Sequence, residues 1–298
     1  MTDAPPKTYR AKCHCAAYVY EVILPSITNP SQCNCSICYK KGAVWVFPKP
    51  SDVKFVKGDP KTMTEYTFGK KAFTHSFCPT CGNSIMVVGH LTPPKPGEDK
   101  EMERGINVRL FQHGQVDLWS IPLKKFDGAN IIQPAYDIPK FTGPEPTAEV
   151  EGGKLYTGSC HCGAVTLAVK NKPIVKESEE TFMECDCSTC AKAGAVWNYP
   201  TKSQVVIQGK ENLELYITGN KTCGKSFCKI CGVPVHNEIL KFSDEEIAAM
   251  PQEKKDWVVG GQNLCPINLR VINGLDVTEL KTVKFNGYEK LQPPYEEP

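Results

Sequence analysis

The sequence predicts a mainly β protein with little helix, made of two similar domains in tandem. Two features of the 298-residue chain predict this class. Cysteine-rich motifs occur twice in the same order, and short runs of β-branched and aromatic residues alternate with Pro and Gly, as in short strands joined by turns. The clearest helix signal lies in residues 243–250, where Ser243 suits an N-cap, acidic residues follow it and Pro251 marks the end.

The predicted strands lie where β-branched or aromatic residues cluster. Such residues fit a pleated, half-buried surface, and Pro and Gly at short intervals favour turns between them. The predicted strands cover residues 18–22, 43–47 and 53–56 in the first copy, and residues 165–169 and 205–207 in the second.

The internal repeat spans nearly the whole chain. Four segments match in order, which indicates a tandem duplication. Apart from Cys223 and Cys265, every one of the 16 cysteines belongs to the repeat. Residues 13–15, 33–45, 77–82 and 106–109 match residues 160–162, 185–197, 227–232 and 267–270.

The repeat also predicts the domain limits. Residues 139–153 contain several Pro residues and a Gly pair, the composition of an exposed and partly stiff linker. The first domain is therefore predicted to span residues 1–138 and the second residues 154–291. Residues 292–298 are predicted to be a tail, either disordered or laid over the surface.

Composition and charge exclude several partners. The net charge of +2 gives no electrostatic reason to expect nucleic acid or an anionic membrane as partner. No apolar run approaches a membrane span, and residues 1–12 lack the apolar core of a secretory signal. We therefore expect a cytoplasmic location, with a nuclear one left open. In a reducing compartment clustered cysteines favour metal ligands over disulfides.

Three thiols lie within six residues at Cys33, Cys35 and Cys38, and again at Cys185, Cys187 and Cys190. In an extended segment residues i and i+2 point to one face, and a turn can bring in the third sulfur. Three protein ligands with one open position are typical of a catalytic zinc. We therefore predict that both groups hold zinc with a vacant position and carry the catalysis.

The remaining repeated cysteines predict a closed site in each copy. A C-x-C pair needs two further ligands, and a later C-x-x-C-Gly supplies them, the Gly allowing positive φ after the last ligand. The predicted sets are Cys13, Cys15, Cys78 and Cys81 in the first copy, and Cys160, Cys162, Cys228 and Cys231 in the second. Together the four groups predict up to four Zn²⁺ per chain.

These motifs resemble the GFA family, which includes glutathione-dependent formaldehyde-activating enzyme and the CENP-V protein. The likeness rests on Gly158–Val165, on the Cys-x-Cys-Ser-x-Cys groups and on the Phe-Cys-x-x-Cys-Gly groups, so that each copy resembles one whole domain. The resemblance implies a β-tent arrangement of sheets, one structural and one catalytic-type zinc per domain, and carbon–sulfur bond chemistry on glutathione adducts.

A thiolate-rich zinc suits sulfur chemistry. It is a weaker Lewis acid than zinc bound by neutral histidines, yet it readily accepts another soft thiolate. The first hypothesis is therefore a carbon–sulfur lyase that acts on a small thiol adduct, with glutathione as co-substrate. A non-catalytic tandem zinc module that binds a partner is the alternative, and a cysteine-rich metal or redox buffer is a weaker third. Neither the substrate nor the oligomeric state follows from the sequence.

Several other residues have both a functional and a structural interpretation. His14 and His161 should point away from the metal, in structural or solvent-facing roles rather than acid–base ones. Asp186 should also point away, because Asn34 takes its place in the other copy. For Arg109 and Arg270 two predictions are equally supported: they clamp a glutathione carboxylate, or they are solvated arginines on a strand. Trp45 and Trp197 are predicted to lie in the core rather than to line a pocket. His75 and His236 are predicted to be surface or packing residues. Cys223 and Cys265 are predicted to be idle thiols, with Cys223 a remote candidate for a fourth ligand.

Overall fold

The computed structural model describes residues 5–89 and 104–297. Residues 1–4 and 90–103 of the predicted first domain, and residue 298 of the predicted tail, lie outside the described residues. The described chain is mainly β and consists of two similar sheet-rich halves, as the repeat predicts. Among the described helices, none combines the length and apolarity needed to cross a bilayer.

The first half contains ten strands and two short helices among its described residues. The strands are β1 Lys7–Lys12, β2 Val19–Leu24, β3 Ser31–Cys33, β4 Trp45–Val46, β5 Val53–Lys57, β6 Thr64–Tyr66, β7 Phe73–Phe77, β8 Ser84–Gly89, β9 Arg104–Asn107 and β10 Lys124–Phe126. The helices are α1 Ser36–Lys41 and α2 Gly128–Ile131, and 3₁₀ turns occupy Pro50–Asp52, Pro60–Thr62 and Val108–Leu110.

The second half repeats this order and adds two helices. Its strands are β11 Lys154–Ser159, β12 Thr166–Asn171, β13 Phe182–Cys185, β14 Trp197–Asn198, β15 Val205–Gln208, β16 Leu213–Ile217, β17 Cys223–Cys228, β18 Pro234–Ile239, β19 Ile267–Asn268 and β20 Thr282–Phe285. Its helices are α3 Ser188–Ala193, α4 Asp244–Ala248, α5 Gln252–Gly261 and α6 Gly287–Lys290, with 3₁₀ turns at Lys202–Gln204, Lys210–Asn212, Leu269–Val271 and Val277–Glu279.

Each half builds the same two sheets. The small sheet has the order β1-β2-β5 in the first half and β11-β12-β15 in the second. The large sheet has the order β10-β3-β4-β9-β8-β7-β6, and its counterpart runs β20-β13-β14-β19-β18-β17-β16. Only the pairs β10–β3 and β13–β20 are parallel among the described strand pairs. In this topology β3 and β13, which are strands of the large sheets, end at the first cysteine of each C-x-C-x-x-C segment.

The predicted helix at residues 243–250 is confirmed and is followed by a second one. Ser243 and Glu246 form a reciprocal capping box at the start of α4. Pro251 ends that helix, but it also stands at the N-cap position of α5, where a proline costs no backbone hydrogen bond. The insertion of the second half is therefore a pair of short helices rather than one.

The two halves pack through reciprocal contacts. Gly42 and Gly194 face each other at φ +57° and +59°, and a Cβ on either would collide with the carbonyl oxygen of the other. Phe77 and Phe227 meet edge to face across the same contact, with ring centroids 6.4 Å apart. One buried core cluster also contains residues of both halves. The repeat thus packs against itself as two copies do in a two-fold dimer.

The predicted linker and tail both lie against the folded halves. Residues 139–153 contain no helix or strand, and the Ala148 amide donates to the Ser203 carbonyl at 3.1 Å. Of the tail, Tyr295 stacks on His14 at 4.4 Å, and Glu297 pairs with the buried Lys12 at 2.9 Å. The described part of the tail therefore lies over the surface, which is one of the two predicted alternatives. The domain limits at residues 138 and 154 stay a prediction.

Candidate metal centres

Four groups of cysteine sulfurs converge in the structure, with the same membership as the predicted groups. Two groups have four members and two have three, and within each group the sulfurs all lie within 4.8 Å of one another. They are Cys13, Cys15, Cys78 and Cys81; Cys160, Cys162, Cys228 and Cys231; Cys33, Cys35 and Cys38; and Cys185, Cys187 and Cys190.

The four-member groups have the spacing of a tetrahedral thiolate site. The Sγ atoms of Cys13 and Cys15 lie 3.6 Å apart, and those of Cys15 and Cys78 lie 3.5 Å apart. The second copy has 3.5 Å between Cys160 and Cys162. Four sulfurs bound to zinc at about 2.3 Å would lie about 3.8 Å apart. The donor set and its dimensions therefore fit a zinc ion.

Each closed group joins the small sheet to the large one. In the first half the C-x-C pair lies in the turn between β1 and β2, and the C-x-x-C pair lies in the turn between β7 and β8. Gly82 follows the last ligand at φ +70° and Gly232 at φ +71°, which confirms the predicted positive φ at both. A metal at this place would tie the two sheets of a half together.

The three-member groups form where a strand turns into a helix. Cys33 ends β3, Cys35 stands at the N-cap of α1 with extended φ and ψ, and Cys38 lies in the first turn. The predicted turn after the second sulfur is therefore a short helix, which carries the third sulfur back to the other two. Cys185, Cys187 and Cys190 occupy the same positions around α3. Each group presents three convergent thiols and fits the three-ligand zinc arrangement.

A glycine closes one side of each three-member group. Gly128 and Gly287 begin α2 and α6, and a Cβ on either would collide with the sulfur of Cys33 or Cys185. The preceding sequences, Phe126-Asp-Gly128 and Phe285-Asn-Gly287, are alike in the two copies. This repeated glycine was overlooked in the sequence analysis, although its alignment beside the cysteine motifs could have revealed it.

Asn34 and Asp186 hold these glycines in place. Asn34 Oδ1 accepts from the Ala129 amide at 2.9 Å, and Asp186 Oδ1 accepts from the Tyr288 amide at 2.9 Å. Both side chains therefore bind the backbone of the following helix. This agrees with the expectation that neither copy needs a carboxylate at this position for chemistry.

The thiols of the first three-cysteine group shift one another's pKa. Hydrogen bonding from Cys35 and Cys38 lowers the pKa of the Cys33 thiol to about 3, whereas hydrogen bonding with Cys33 raises the pKa of Cys35 to about 12. The Trp45 indole Nε1–H also points at Cys38 Sγ, 3.3 Å away. Trp45 is buried, as predicted, and it also contacts the site.

The second three-cysteine group differs because a lysine reaches it. Lys225 Nζ lies 3.4 Å from Cys190 Sγ and 4.7 Å from the centre of the Trp197 ring. Burial alone would lower the pKa of Lys225, but the neighbouring Cys190 thiolate raises it above its usual value. His75 stands at the equivalent position of the first half. An ammonium therefore lies directly against a thiol of the second group, at the place that His75 takes in the first half, a difference that aligning the non-cysteine positions could have predicted.

A large cavity lies beside the first three-cysteine group. Its volume is about 760 Å³, and Cys33, Cys35, Cys38, Trp45 and His75 are among its lining residues. A volume of this size is typical of a small-molecule site.

His75 is buried at this cavity rather than on the surface. It is only 2% exposed, and neither ring nitrogen has a hydrogen-bond partner among the described residues. Burial holds the pKa of His75 well below its usual value, and the nearby charges of Lys41 and His161 lower it further, so the ring is neutral. His236 is also buried, with Nδ1 3.9 Å from Glu238. The surface interpretation of both histidines is wrong.

His14 and His161 each link the closed group of one half to the three-cysteine motif of the other. His161 Nε2 lies 2.9 Å from Ser36 Oγ, next to Cys35, and His14 Nε2 lies 2.9 Å from Ser188 Oγ, next to Cys187. Burial lowers the pKa of both rings to about 4. The structural role predicted for them is confirmed, and the solvent-facing alternative is wrong.

The crossed contacts predict a crossed effect of mutation. We expect His161→Ala to weaken metal binding at Cys33, Cys35 and Cys38 about tenfold, a typical result of losing an outer hydrogen-bond partner. His14→Ala should weaken the second three-cysteine group instead. Chelator competition followed by alkylation and peptide mapping would show which cysteines lose metal first. Equal loss from both three-cysteine groups in either variant would contradict the crossed link.

Arg109 and Arg270 lie at the contact between the halves. Arg109 Nε donates to the Gly42 carbonyl, and Arg270 Nε donates to the Gly194 carbonyl at 2.6 Å. Arg270 also lies over the Tyr39 ring at 5.6 Å. Both guanidinium groups secure the glycine contact between the halves, and Arg270 is buried rather than solvated. The clamp role of the two arginines stays a prediction.

Cys223 and Cys265 stay outside the four groups of convergent sulfurs. Both are partly buried free thiols, and burial raises the pKa of each, that of Cys265 to about 11. Cys223 does not join Cys185, Cys187 and Cys190 as a fourth ligand.

Comparison with known families agrees with this arrangement. The family model described as glutathione-dependent formaldehyde-activating enzyme, GFA, matches residues 8–97 and 155–254, more than half of the chain. The chain belongs to the GFA family. Each half carries one match, so the family domain occurs twice in tandem.

One solved structure is also similar to part of the chain. It is the crystal structure of a Rhodobacter sphaeroides protein, a target of the Northeast Structural Genomics effort. The two are 25% identical, and the match covers 44% of this chain and 99% of that one, with a TM-score of 0.31.

Proposed function

We propose that this chain is a zinc-dependent carbon–sulfur lyase that forms or cleaves adducts between a glutathione-type thiol and an electrophilic carbon. The observation that carries the proposal is that Cys33, Cys35 and Cys38 converge at the edge of a cavity of about 760 Å³. Membership of the GFA family supports the same class of chemistry. All 16 cysteines are free thiols, which supports a reducing, cytoplasmic location.

Each centre has a separate task in this proposal. The closed groups, with four thiolates each, would hold structural zinc, because no ligand position is left for a substrate. Cys33, Cys35 and Cys38 would hold a zinc that supplies a soft Lewis acid able to lower the pKa of a substrate thiol. Gly128 leaves room for the Cys33 sulfur, and the Trp45 indole donates to Cys38. These contacts fix two of the three ligands before substrate enters.

The remaining step is a proton transfer, for which His75 is suited. In the cleavage direction the substrate is a thiohemiacetal, with a hydroxyl and a sulfur on one carbon. A neutral His75 ring nitrogen takes the hydroxyl proton, the oxygen electrons form the carbonyl, and the C–S bond breaks with its electron pair on sulfur. His75 then returns the proton to that sulfur, so the products are a thiol and an aldehyde. Neither ring nitrogen of His75 has a hydrogen-bond partner among the described residues, so one of them is free to meet the substrate proton.

For the second three-cysteine group the observations favour the alternative, a non-catalytic role. Lys225 lies on Cys190 and over the Trp197 ring, so an ammonium takes the place that His75 has in the first half. This cation compensates the thiolate charge and offers no proton acceptor while it is charged. We propose that the second group is a binding or stabilising site and that catalysis belongs to the first.

A matched pair of variants tests the proposal. The zinc-loaded protein should accelerate adduct formation from glutathione and an aldehyde. The loss of free thiol over time measures this rate. Cys35→Ser should reduce that rate about 100-fold, since it removes a ligand of the catalytic group. Cys187→Ser, the same change in the second copy, should leave the rate within about twofold. An unchanged rate in Cys35→Ser, or no acceleration over buffer with any aldehyde tried, would overturn the proposal.

A further inference from the structure

The cavity beside the first three-cysteine group is much larger than a one-carbon adduct requires. Its volume is about 760 Å³, whereas a one-carbon substituent occupies roughly the volume of one or two waters, about 30 Å³ each. The electrophilic carbon that this site accepts therefore has room for a large substituent.

The lining of the cavity is apolar. Aromatic and aliphatic side chains dominate it, and three of them are unusually exposed for their type: Phe47 at 59%, Phe126 at 47% and Ile131 at 55%. Exposed apolar side chains grouped around one cavity mark a surface that an apolar partner covers. The apolar lining residues include Leu24, Trp45, Val46, Phe73, Val87 and Ile132.

Charged groups are almost absent from the same lining. Lys124 is the one permanently charged side chain among the described lining residues. The carboxylates and ammonium of a glutathione-type tripeptide would lose hydration inside this cavity without gaining ionic partners. The peptide part of an adduct would therefore stay at the mouth of the cavity near Lys124. The substituent on the electrophilic carbon would occupy the interior of the cavity.

The second copy is less apolar at four of the corresponding positions. Where the first half has Phe47, Phe73, Val87 and Ile131, the second has Tyr199, Cys223, Asn237 and Lys290. The backbone is the same in both copies, so the fold alone does not require apolar residues there. These four differences make the first site, where the catalytic group is proposed, the more apolar of the two.

We propose that the first site selects thiol adducts whose carbon carries a bulky apolar chain or ring, such as an adduct of a long-chain or aromatic aldehyde. This substrate class rests on the lyase function proposed above, and it makes formaldehyde a poor substrate. His75 is the buried polar group that such an adduct would meet inside the cavity, where both ring nitrogens lack a partner.

Binding of stable thioethers tests this substrate class without turnover. Calorimetric titration of the zinc-loaded full chain with S-hexylglutathione should show one site per chain, at least tenfold tighter than with S-methylglutathione. Ile131→Lys, which introduces the residue of the second copy at an exposed position, should remove that preference. Lys290→Ile is the matched control and should leave it unchanged.

The outcomes separate the substrate class from the reaction. If adducts are cleaved but hexyl and methyl thioethers bind equally, or if neither binds, the apolar substrate class is wrong while the lyase function stands. If S-hexylglutathione binds preferentially and Ile131→Lys removes the preference, yet no aldehyde adduct turns over, the apolar site stands and the lyase function fails. A hexyl preference that survives Ile131→Lys would place apolar binding elsewhere and overturn the assignment to this cavity.

Discussion

Replacing Cys160 by serine should lower the free energy of unfolding by at least about 4 kcal/mol, because a structural zinc contributes about 10–16 kcal/mol on binding. Cys160 is fully buried, and its group joins β11 and β12 to the turn between β17 and β18. Its loss should also disturb the first three-cysteine group, since His161 lies beside Cys160 and reaches Ser36 at 2.9 Å. Chemical unfolding of zinc-loaded protein, with zinc content measured in parallel, checks the result.

Two control variants isolate the role of the metal. Cys223→Ser changes a partly buried cysteine of the same half that lies outside the four groups, so it should cost less than about 1 kcal/mol. Cys35→Ser removes a ligand of the three-cysteine group and should reduce activity far more than stability. If Cys160→Ser and Cys223→Ser unfold at the same denaturant concentration, the four-thiolate group is not a structural metal site.

The second large effect is expected at the contact between the halves. Gly42→Ala should destabilise the protein by about 2–4 kcal/mol, from left-handed backbone strain and from overpacking. The added Cβ would lie 2.9 Å from Arg270 Nε and 3.0 Å from the carbonyl carbon of Gly194 in the other half. Neither can move freely, because Arg270 Nε donates to the Gly194 carbonyl at 2.6 Å. Urea unfolding measures the change.

A third glycine provides the control for backbone strain alone. Gly219 has φ +62°, close to the +57° of Gly42, but a Cβ there would meet nothing within 4 Å. Gly219→Ala should therefore cost only about 1 kcal/mol. Equal losses of stability in the two variants would mean that the packing of the halves adds nothing at Gly42.

Local sequence was sufficient to predict the metal groups. The C-x-C, C-x-x-C-Gly and C-x-C-x-x-C spacings are short, and a ligand pair within four residues converges whatever surrounds it. Joining Cys13 and Cys15 to Cys78 and Cys81, more than sixty residues away, required only the count of ligands that zinc needs. The capping box of Ser243 and Glu246 was predictable for the same reason, since both partners lie in one helical turn.

Contacts between distant residues could not be predicted in this way. His14, His161, Arg109 and Arg270 each had several possible roles on sequence alone, because their partners lie in other strands or in the other half. His14 contacts Ser188 and Tyr216, which lie 174 and 202 residues further along the chain. No local pattern encodes such a distance.

The sequence by itself therefore determined a duplicated, cysteine-rich β protein and the membership of its four thiol groups, since both depend on repetition and on short spacings. Only the tertiary structure decided what surrounds each of the two three-cysteine groups. His75 and Lys225 occupy the same place in the repeat, yet one lines an apolar cavity and the other lies on a thiolate. The reason is physical: the surroundings of a site come from side chains on strands far apart in sequence, and these side chains meet only when the sheets form.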